Sequence, residues 1–441
     1  MVVPQLVAAI ALLAASSSAA PHDHDHSEPR SLPGSWYQER SHVHDLFVRA
    51  ASDAPVGSQQ WLNQYPPAGG VPSQNEADIP ATWLAAYKAA KAAGKIPNIP
   101  VSQINVPHQN FPYYGGLDPM GPEVCSSTPK CKNGQGDIWD APAGTIGISF
   151  DDGPWAGTEG LLDFLESVNQ PATHYCIGRN IAQHPQSFLR AFKMGGEMAV
   201  HTWSHPQMTN QTDLGVLVEL GWTMQIIHDL TGGRVPKYWR PPTGDNDNRV
   251  RAIAREVFGL NSAVMWNYDT EDWSLDTPTP YYPIPKIQEL LHTWLSGPKS
   301  PGLVILEHEL NDVTVGIFKN TTWPGIQQYG WKPQPIAQML NSAYYQNAKD
   351  NTAAVTPQDN IAQSVPAAAG GGTGSSSGGG SSSSTKPPGS SSSSNGSSSS
   401  SGSSTVSGSG SAPSQTGTGA AARVGVSGAA IAAVVFGALV L

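Results

Sequence analysis

Between about residues 143 and 345, short apolar runs typical of β-strands alternate with longer amphipathic stretches typical of helices. The predicted strands are Thr145–Phe150, Thr173–Ile177, Glu197–Val200, Tyr238–Trp239, Ala263–Trp266 and Leu303–Leu306. The predicted helices are Gly160–Val168, Ile181–Met194, Asp213–Leu230, Arg249–Phe258 and Ile284–Leu295. Such alternation indicates parallel strands joined by helical crossovers. Because about 200 residues are few for a full eight-fold barrel, the sequence predicts an α/β fold with a distorted (β/α) barrel.

The remainder of the chain is predicted to form appendages to this 141–350 domain. Residues 1–20 contain an apolar run followed by small residues, which is typical of a secretory signal peptide. Residues 21–140 are irregular and Pro-rich, and we expect them to pack on the barrel as an N-terminal extension. Residues 351–418 are expected to form a Ser/Gly-rich flexible linker, because from about residue 367 to 418 the sequence is too polar to bury enough surface to fold. Residues 419–441 end in an apolar run that predicts a removed GPI-anchor signal, with a retained membrane helix as the alternative.

The cysteines, the sequons and the net charge indicate the compartment of the protein and the kind of partner it can bind. Cys125 and Cys131 flank a short turn and could close a small disulfide loop, whereas Cys176 lies in an apolar run and is expected to be a buried free thiol. Three sequons predict N-glycosylation of a secreted protein. They begin at Asn210, Asn320 and Asn395. The formal net charge of −10 argues against a nucleic-acid partner, which needs a basic surface.

Five short motifs carry the candidate chemistry, and each begins at or just beyond the end of a hydrophobic run. They are Ser149–Pro154, His201–His205, Arg240–Asp245, Asp269–Trp273 and Leu306–His308. In a β/α barrel the carboxyl ends of the strands converge on one mouth, which carries the active site. The sequence therefore predicts that these motifs form a single site.

The first two motifs predict a divalent-metal site. His201 and His205 are four residues apart, so both imidazoles can face one point on a helix or in a tight turn. With one carboxylate from Asp151-Asp152 they would leave positions open, as a catalytic Zn²⁺ site requires. The second carboxylate would then stay free as a base. Taken alone, the histidines could be surface residues and Asp-Gly-Pro an ordinary turn.

The other motifs supply groups that could assist an acyl hydrolysis. Arg240 could keep a neighbouring carboxylate ionised and oriented, and the turn after it could fix a backbone N–H as an oxyanion donor. Glu307 and Glu309 are expected to raise the pKa of His308, which suits donation of a proton to a departing amine. Taken alone, these residues could equally form surface contacts, helix caps or core.

The five motifs resemble those of the polysaccharide deacetylases of carbohydrate esterase family four (the NodB-type domain), and within it the fungal chitin deacetylases. The resemblance covers about residues 143–345 and implies roles position by position. The general base would be Asp151, the metal ligands Asp152, His201 and His205, and the general acid His308. Arg240 would hold Asp151, Asp272 would orient the catalytic pair, Thr243 would supply the oxyanion N–H, and Trp273 and Leu306 would line the acetyl pocket.

The resemblance also implies the reaction and its setting. It implies hydrolysis of N-acetyl groups in chitin, a polymer of N-acetylglucosamine, to chitosan and acetate, with Zn²⁺, Co²⁺ or another divalent metal. The enzyme would be a secreted glycoprotein held at a fungal plasma membrane or cell wall by a lipid anchor, and no protein partner is implied. Thr243 stands where the family has Tyr, which bears on substrate preference. The alternatives are another acetylated polysaccharide, such as xylan or a different hexosamine polymer, or a catalytically inactive wall-binding protein.

Overall fold

The computed structural model describes residues 54–363, apart from 105, 108, 110, 133–135 and 359. The predicted signal peptide, most of the linker, the anchor signal and Asn395 lie outside the described residues. Within them, no helix combines the length and the apolar character needed to cross a membrane.

Among the described residues, nine short strands form two parallel sheets. They are β1 (Thr145–Gly147), β2 (Ser149–Asp151), β3 (Thr173–Cys176), β4 (Glu197–Val200), β5 (Tyr238–Trp239), β6 (Ser262–Ala263), β7 (Tyr268–Asp269), β8 (Leu303–Leu306) and β9 (Lys332–Gln334). One sheet has the order β2-β3-β4-β5-β6 and the other β7-β8-β1-β9. Every pairing between these strands is parallel, as the strand–helix alternation predicts.

Two continuous chain segments join the sheets into a barrel. Residues 145–151 form β1 and then β2, so the segment pairs first with β8 and β9 and then with β3. Residues 262–269 form β6 and then β7, which pair with β5 and β8 respectively. The ring of pairings is therefore closed by strands that change partner midway. This confirms the predicted distorted barrel.

Eleven α-helices are present among the described residues. They are α1 (Gln59–Leu62), α2 (Ala81–Ala92), α3 (Thr158–Ser167), α4 (Gly178–Gln183), α5 (Pro185–Lys193), α6 (Asp213–Leu230), α7 (Asn248–Phe258), α8 (Ile284–Ser296), α9 (Asp312–Ile317), α10 (Trp323–Tyr329) and α11 (Ile336–Met339). The single predicted helix Ile181–Met194 is wrong, because the chain breaks at His184 (φ −127°, ψ 52°) into α4 and α5. Pro185 causes the break, since proline disfavours a helical residue before it and itself lacks an N–H.

The structure also differs from the predicted strands after β5. The predicted strand Ala263–Trp266 ends at Ala263, because the chain then crosses from one sheet to the other. Strands β7 and β9 were not predicted. Each has only two or three residues, and β9 contains Pro333 at the edge of its sheet, where a missing N–H is tolerated.

The segment before the barrel packs against helices α6 and α7. Trp83 of α2 is buried and meets the rings of Trp222 and Phe258 edge to face, with centroids 5.1 and 5.9 Å away. Gly221 makes this contact possible, because a Cβ there would lie 2.6 Å from the Trp83 ring. The aromatic contacts therefore fix α2 to the outside of the barrel.

Candidate active site

The strands deliver the five motifs to one end of the barrel. Asp151 is the last residue of β2, His201 directly follows β4, and Arg240 directly follows β5. His308 lies two residues after β8 and forms a parallel bridge with Asp151. The residues that sequence reasoning selected are thus neighbours in the structure.

Asp152, His201 and His205 form a candidate metal triad. Their potential ligand atoms all lie within 4.8 Å of one another. The Oδ1 atom of Asp152 is 3.3 Å from Nε2 of His201 and 3.2 Å from Nε2 of His205. Nδ1 of His201 lies 2.7 Å from the carbonyl oxygen of Arg240, and since a carbonyl only accepts, Nδ1 carries the proton. The lone pair on Nε2 therefore faces the triad.

The triad fits a divalent cation. Oδ1 of Asp152 is buried and has no hydrogen-bond partner among the described residues. A carboxylate oxygen without a donor is costly to bury, and here it faces two imidazole nitrogens. Two histidines and one carboxylate form the donor set of an open catalytic zinc site. A cation bound between them would satisfy all three groups.

A buried carboxylate holds the chain segment between the two histidines. Glu219, on α6, accepts hydrogen bonds from the N–H of Trp203 at 2.9 Å, the N–H of Ser204 at 2.8 Å and the Ser204 hydroxyl at 2.6 Å. These bonds fix the turn that directs His201 and His205 to one point. Sequence reasoning missed Glu219, since it lies inside a helix and belongs to no motif.

Asp151 is held by a buried arginine. Its Oδ1 accepts a 2.6 Å hydrogen bond from Nη1 of Arg240, and the two side chains are 3% and 0% exposed. The guanidinium is itself fixed on three sides. It donates to the Val264 carbonyl (2.9 Å) and the Ser149 hydroxyl (3.2 Å) and lies over the ring of Tyr175 (4.1 Å). Because Oδ2 of Asp151 is 3.6 Å from Nε2 of His201, the free side of the carboxylate points toward the triad.

His308 forms a second buried pair, with Asp272. Its Nδ1 lies 2.6 Å from Oδ1 of Asp272, and its backbone N–H donates to Oδ2 at 3.0 Å. Burial by itself lowers the pKa of His308, but the charge and hydrogen bond of Asp272, together with the charges of Asp152 and Asp151, raise it to about 10. The imidazole is therefore protonated near neutral pH and can act as a proton donor.

The main causes of the raised pKa of His308 are Asp272, Asp152 and Asp151, not the flanking Glu307 and Glu309. Burial raises the pKa of Glu307 to about 8, so this carboxyl is largely uncharged near neutrality, and it hydrogen-bonds with Thr322 instead. Glu309 contacts a different histidine, His174, at 3.0 Å. Glu307 and Glu309 are therefore each engaged by a residue other than His308.

The remaining predicted residues lie around the mouth. Thr243 is exposed, in a short 3₁₀ turn over Pro242–Gly244, with φ 54° and ψ 14°. Trp273 is 39% exposed, and its ring centroid is 5.6 Å from that of Tyr281. Leu306 is buried at the end of β8, where it pairs in register with Asp269 of β7.

Strained backbone conformations concentrate in these motifs. Of nine non-glycine residues with positive φ among the described residues, five belong to the motif loops. They are Asp152, Thr202, His205, Thr243 and Glu271. Such conformations persist only where the surroundings enforce them, and they cluster at functional sites. The residue after Asp152 must be glycine, because a Cβ on Gly153 would lie 1.9 Å from Oε1 of Glu309.

The fold and the site together define a barrel enzyme with a candidate divalent-metal triad, a carboxylate fixed by arginine and a protonated imidazole at one mouth. Comparison with known proteins agrees with this class. Residues 140–259 match the sequence profile described as polysaccharide deacetylase. Chitin deacetylase 3 of Cryptococcus neoformans var. neoformans is 41% identical over 330 residues, which are 74% of this chain and 77% of that protein.

The chain therefore belongs to the polysaccharide deacetylase family, and within it to the fungal chitin deacetylases. The chitin deacetylase of Amylomyces rouxii is also similar, with 33% identity over 258 residues, 56% of this chain and 60% of that protein. Among solved structures, the chitin deacetylase of Colletotrichum lindemuthianum has 21% identity and a TM-score of 0.43, with 47% of this chain and 92% of that chain covered.

Proposed function

We propose that this protein hydrolyses N-acetyl groups of N-acetylglucosamine residues in chitin, leaving chitosan and acetate. The observation that carries the proposal is the meeting of three units at one mouth. These are the triad with its unpartnered Asp152 oxygen, the Asp151–Arg240 pair and the His308–Asp272 pair. The relatives named as chitin deacetylases support chitin as the substrate.

We propose that Asp152, His201 and His205 hold a divalent cation, Zn²⁺ or Co²⁺. When bound, such an ion polarises an acyl oxygen and lowers the pKa of a water molecule. The open donor set of the triad supports this assignment. Glu219 would hold the two histidines in place, since it fixes the segment between them.

The chain's own residues then move two protons. Asp151, oriented by its 2.6 Å hydrogen bond from Arg240, takes a proton from water as the water oxygen bonds to the acyl carbon. The N–H of Thr243 donates to the oxygen on which negative charge develops. His308, held by Asp272, gives its proton to the nitrogen as the C–N bond breaks. Acetate and the free amine are released, and no covalent enzyme intermediate is needed.

Trp273 and Leu306 are proposed to line the pocket for the acetyl methyl group. Leu306 is buried and apolar, whereas Trp273 is partly exposed and stands next to Tyr281. Thr243 presents a small side chain at an exposed position where the family's Tyr would be larger. We infer that this leaves the mouth more open above the turn.

We further propose that the enzyme acts outside the cell, held at the membrane or wall by a lipid anchor and a Ser/Gly-rich stalk. The disulfide between Cys125 and Cys131 supports an oxidising compartment. The sequon residue Asn320 is exposed and Asn210 is half-buried, which is compatible with N-glycosylation. The apolar C-terminal run supports the anchor, and the Ser/Gly-rich composition before it supports the stalk.

The test is acetate release by the purified protein from N-acetylglucosamine oligomers and, in parallel, from acetylated xylan. Each assay is run as purified, after chelation and after Zn²⁺ is returned. We expect release from the chitin oligomers that chelation abolishes and Zn²⁺ restores. Release only from xylan would leave the chemistry and overturn the substrate. No release from either would favour a wall-binding protein.

A further inference from the structure

The disulfide loop Cys125–Cys131 lies directly against the turn that carries Thr243. The Ser127 hydroxyl donates to the carbonyl oxygen of Gly244 at 2.7 Å and lies 3.1 Å from that of Asn246, which accepts from the Ser127 N–H at 2.8 Å. The Thr128 hydroxyl donates to Oδ1 of Asp245 at 2.9 Å. Two consecutive loop residues thus bind the three residues that follow Thr243.

The loop is a rigid support. The disulfide closes it, and backbone bonds cross it from Cys131 N–H to the Ser126 carbonyl (3.0 Å) and from Lys130 N–H to the Ser127 carbonyl (2.8 Å). Arg251 of α7 fixes one end by donating to the Cys125 carbonyl at 2.6 Å. A short closed loop with internal hydrogen bonds has few accessible conformations. It can therefore hold its neighbours in place.

The turn depends on outside support. Pro241 and Pro242 have no N–H with which to anchor it, and Thr243 takes a left-handed conformation (φ 54°) that disfavours a side chain. Its own backbone bonds are from Gly244 N–H to Pro241 and from Asp245 N–H to Pro242. A conformation of this kind persists only when contacts around it enforce it.

We propose that Ser127 and Thr128 are positioning residues for deacetylation, and that the disulfide loop holds the Thr243 N–H where the charged acyl oxygen forms. Neither residue is placed to touch the substrate, since each acts through Gly244, Asp245 and Asn246. The inference rests on the proposed function, because it assigns the Thr243 N–H to the reacting acyl group. It adds a role for a segment outside the five motifs.

The main test compares Ser127→Ala with Ser126→Ala in the purified full-length protein. Ser126 is a matched control, because it is the adjacent residue, is equally buried, and its hydroxyl has no hydrogen-bond partner in the part of the chain that the structure describes. Loss of one oxyanion donor costs about 10²- to 10³-fold in kcat, so a displaced donor should cost roughly tenfold. We expect that fall in kcat for Ser127→Ala, with KM and Zn²⁺ affinity within about twofold of wild type. Ser126→Ala should keep wild-type kcat.

A second pair of variants keeps the inference testable if Ser127→Ala does not fold. Thr128→Val removes the hydroxyl at nearly constant volume, whereas Thr128→Ser retains it. We expect kcat to fall several-fold in Thr128→Val and to stay near wild type in Thr128→Ser. Asp245 is left unchanged because it also binds Thr209, downstream of the metal ligands.

The outcomes separate this inference from the proposed function. If the wild-type protein releases no acetate, the proposed function and the inference are both wrong. If the wild type is active but Ser127→Ala matches Ser126→Ala and Thr128→Val matches Thr128→Ser, the inference alone is wrong. A parallel loss of Zn²⁺ affinity would also overturn it, because the loop would then support the whole site rather than the turn.

Discussion

The buried carboxyl groups assigned to catalysis at the mouth differ from a buried carboxyl group at the opposite end of the barrel. At the mouth, Asp151 and Asp272 each contact a cationic side chain at 2.6 Å, Arg240 and His308 respectively. At the opposite end, Glu197 opens β4 and is fully buried. Its Oε2 accepts from the Thr173 hydroxyl and the Ala337 N–H, and its Oε1 has no hydrogen-bond partner among the described residues.

This difference decides which groups are charged. Burial raises the pKa of Glu197 to about 7, so it is largely a neutral acid at mildly acidic pH. Asp272 instead stabilises the charged form of His308, which holds a proton until about pH 10. Charge is kept where a cationic partner is present, as at Asp272, whereas Glu307, which also lies at the mouth, hydrogen-bonds with Thr322 and is largely uncharged near neutrality. Changes at the mouth should therefore alter catalysis, and a change at the other end should alter stability.

The largest expected effect is that of Asp151→Asn. The amide keeps an oxygen for the Arg240 hydrogen bond but cannot accept a proton from water, so kcat should fall about 10²- to 10⁴-fold. Zn²⁺ content should stay near that of wild type, because Asp152, not Asp151, belongs to the triad. Acetate release and metal analysis of the same sample provide the measurement. Exposed Asp163→Asn serves as the control. Loss of metal together with activity would show that the two aspartates have been assigned the wrong roles.

His205→Ala tests the metal triad at the mouth. Removal of a direct ligand should cost more than the roughly 10- to 100-fold in affinity typical of residues that only support ligands. We expect Zn²⁺ affinity, measured by competition with a chromophoric chelator, to fall by more than 100-fold. Activity should partly return at high Zn²⁺. The exposed His292→Ala variant should retain wild-type affinity. A metal-replete, active His205→Ala enzyme would exclude this residue from the ligand set.

Much of the mouth could be predicted from sequence because its signals are local. The apolar runs of β2, β4, β5 and β8 are followed at once by their polar motifs, and parallel topology brings those motifs together. Contacts between distant segments carry no such signal. Glu219 supports the metal ligands from inside a helix, and the disulfide loop reaches the Thr243 turn from more than a hundred residues away in sequence.

Sequence reasoning failed where spacing along the chain was taken for proximity in space. Glu307 and Glu309 flank His308 but face Thr322 and His174, while Asp272 arrives from another loop. The two-residue strand β7 could not be predicted for a similar reason. Its pairing with β8 depends on where the chain crosses from one sheet to the other. Tertiary contacts determine both the partner of His308 and the formation of β7.

A smaller effect is expected on the pH profile of Asp272→Asn. Removing the negative charge lowers the pKa of His308, so the acid loses its proton at a lower pH. The alkaline limb of kcat/KM should move down by about one pH unit or more. The exposed Glu289→Gln variant is the control, because it removes a carboxylate that contacts Lys286 and not His308. If the alkaline limb does not move in Asp272→Asn, or moves equally in the control variant, the charge of Asp272 is not what raises the pKa of His308.

The smallest effect on activity is expected for Glu197→Gln, at the far end of the barrel. Because the folded-state pKa of Glu197 (about 7) exceeds the usual carboxyl value, the folded protein binds more protons than the unfolded chain between the two values. Its contribution to stability therefore falls as pH rises through that window. A neutral glutamine avoids the cost of burying a charge, so the variant should gain stability relative to wild type at pH 8.5, on the order of 1 kcal/mol or more.

Thermal unfolding of wild type and Glu197→Gln at pH 5 and pH 8.5 measures this contribution directly. At pH 5 the two proteins should unfold within a degree or two of each other, and at pH 8.5 the variant should unfold several degrees higher. The exposed Glu289→Gln variant should show no such pH-dependent difference. Acetate release should be unchanged in both variants. If Glu197→Gln loses stability at pH 8.5, the ionised carboxylate has a cationic partner in the fold, and the contrast between the two ends of the barrel fails.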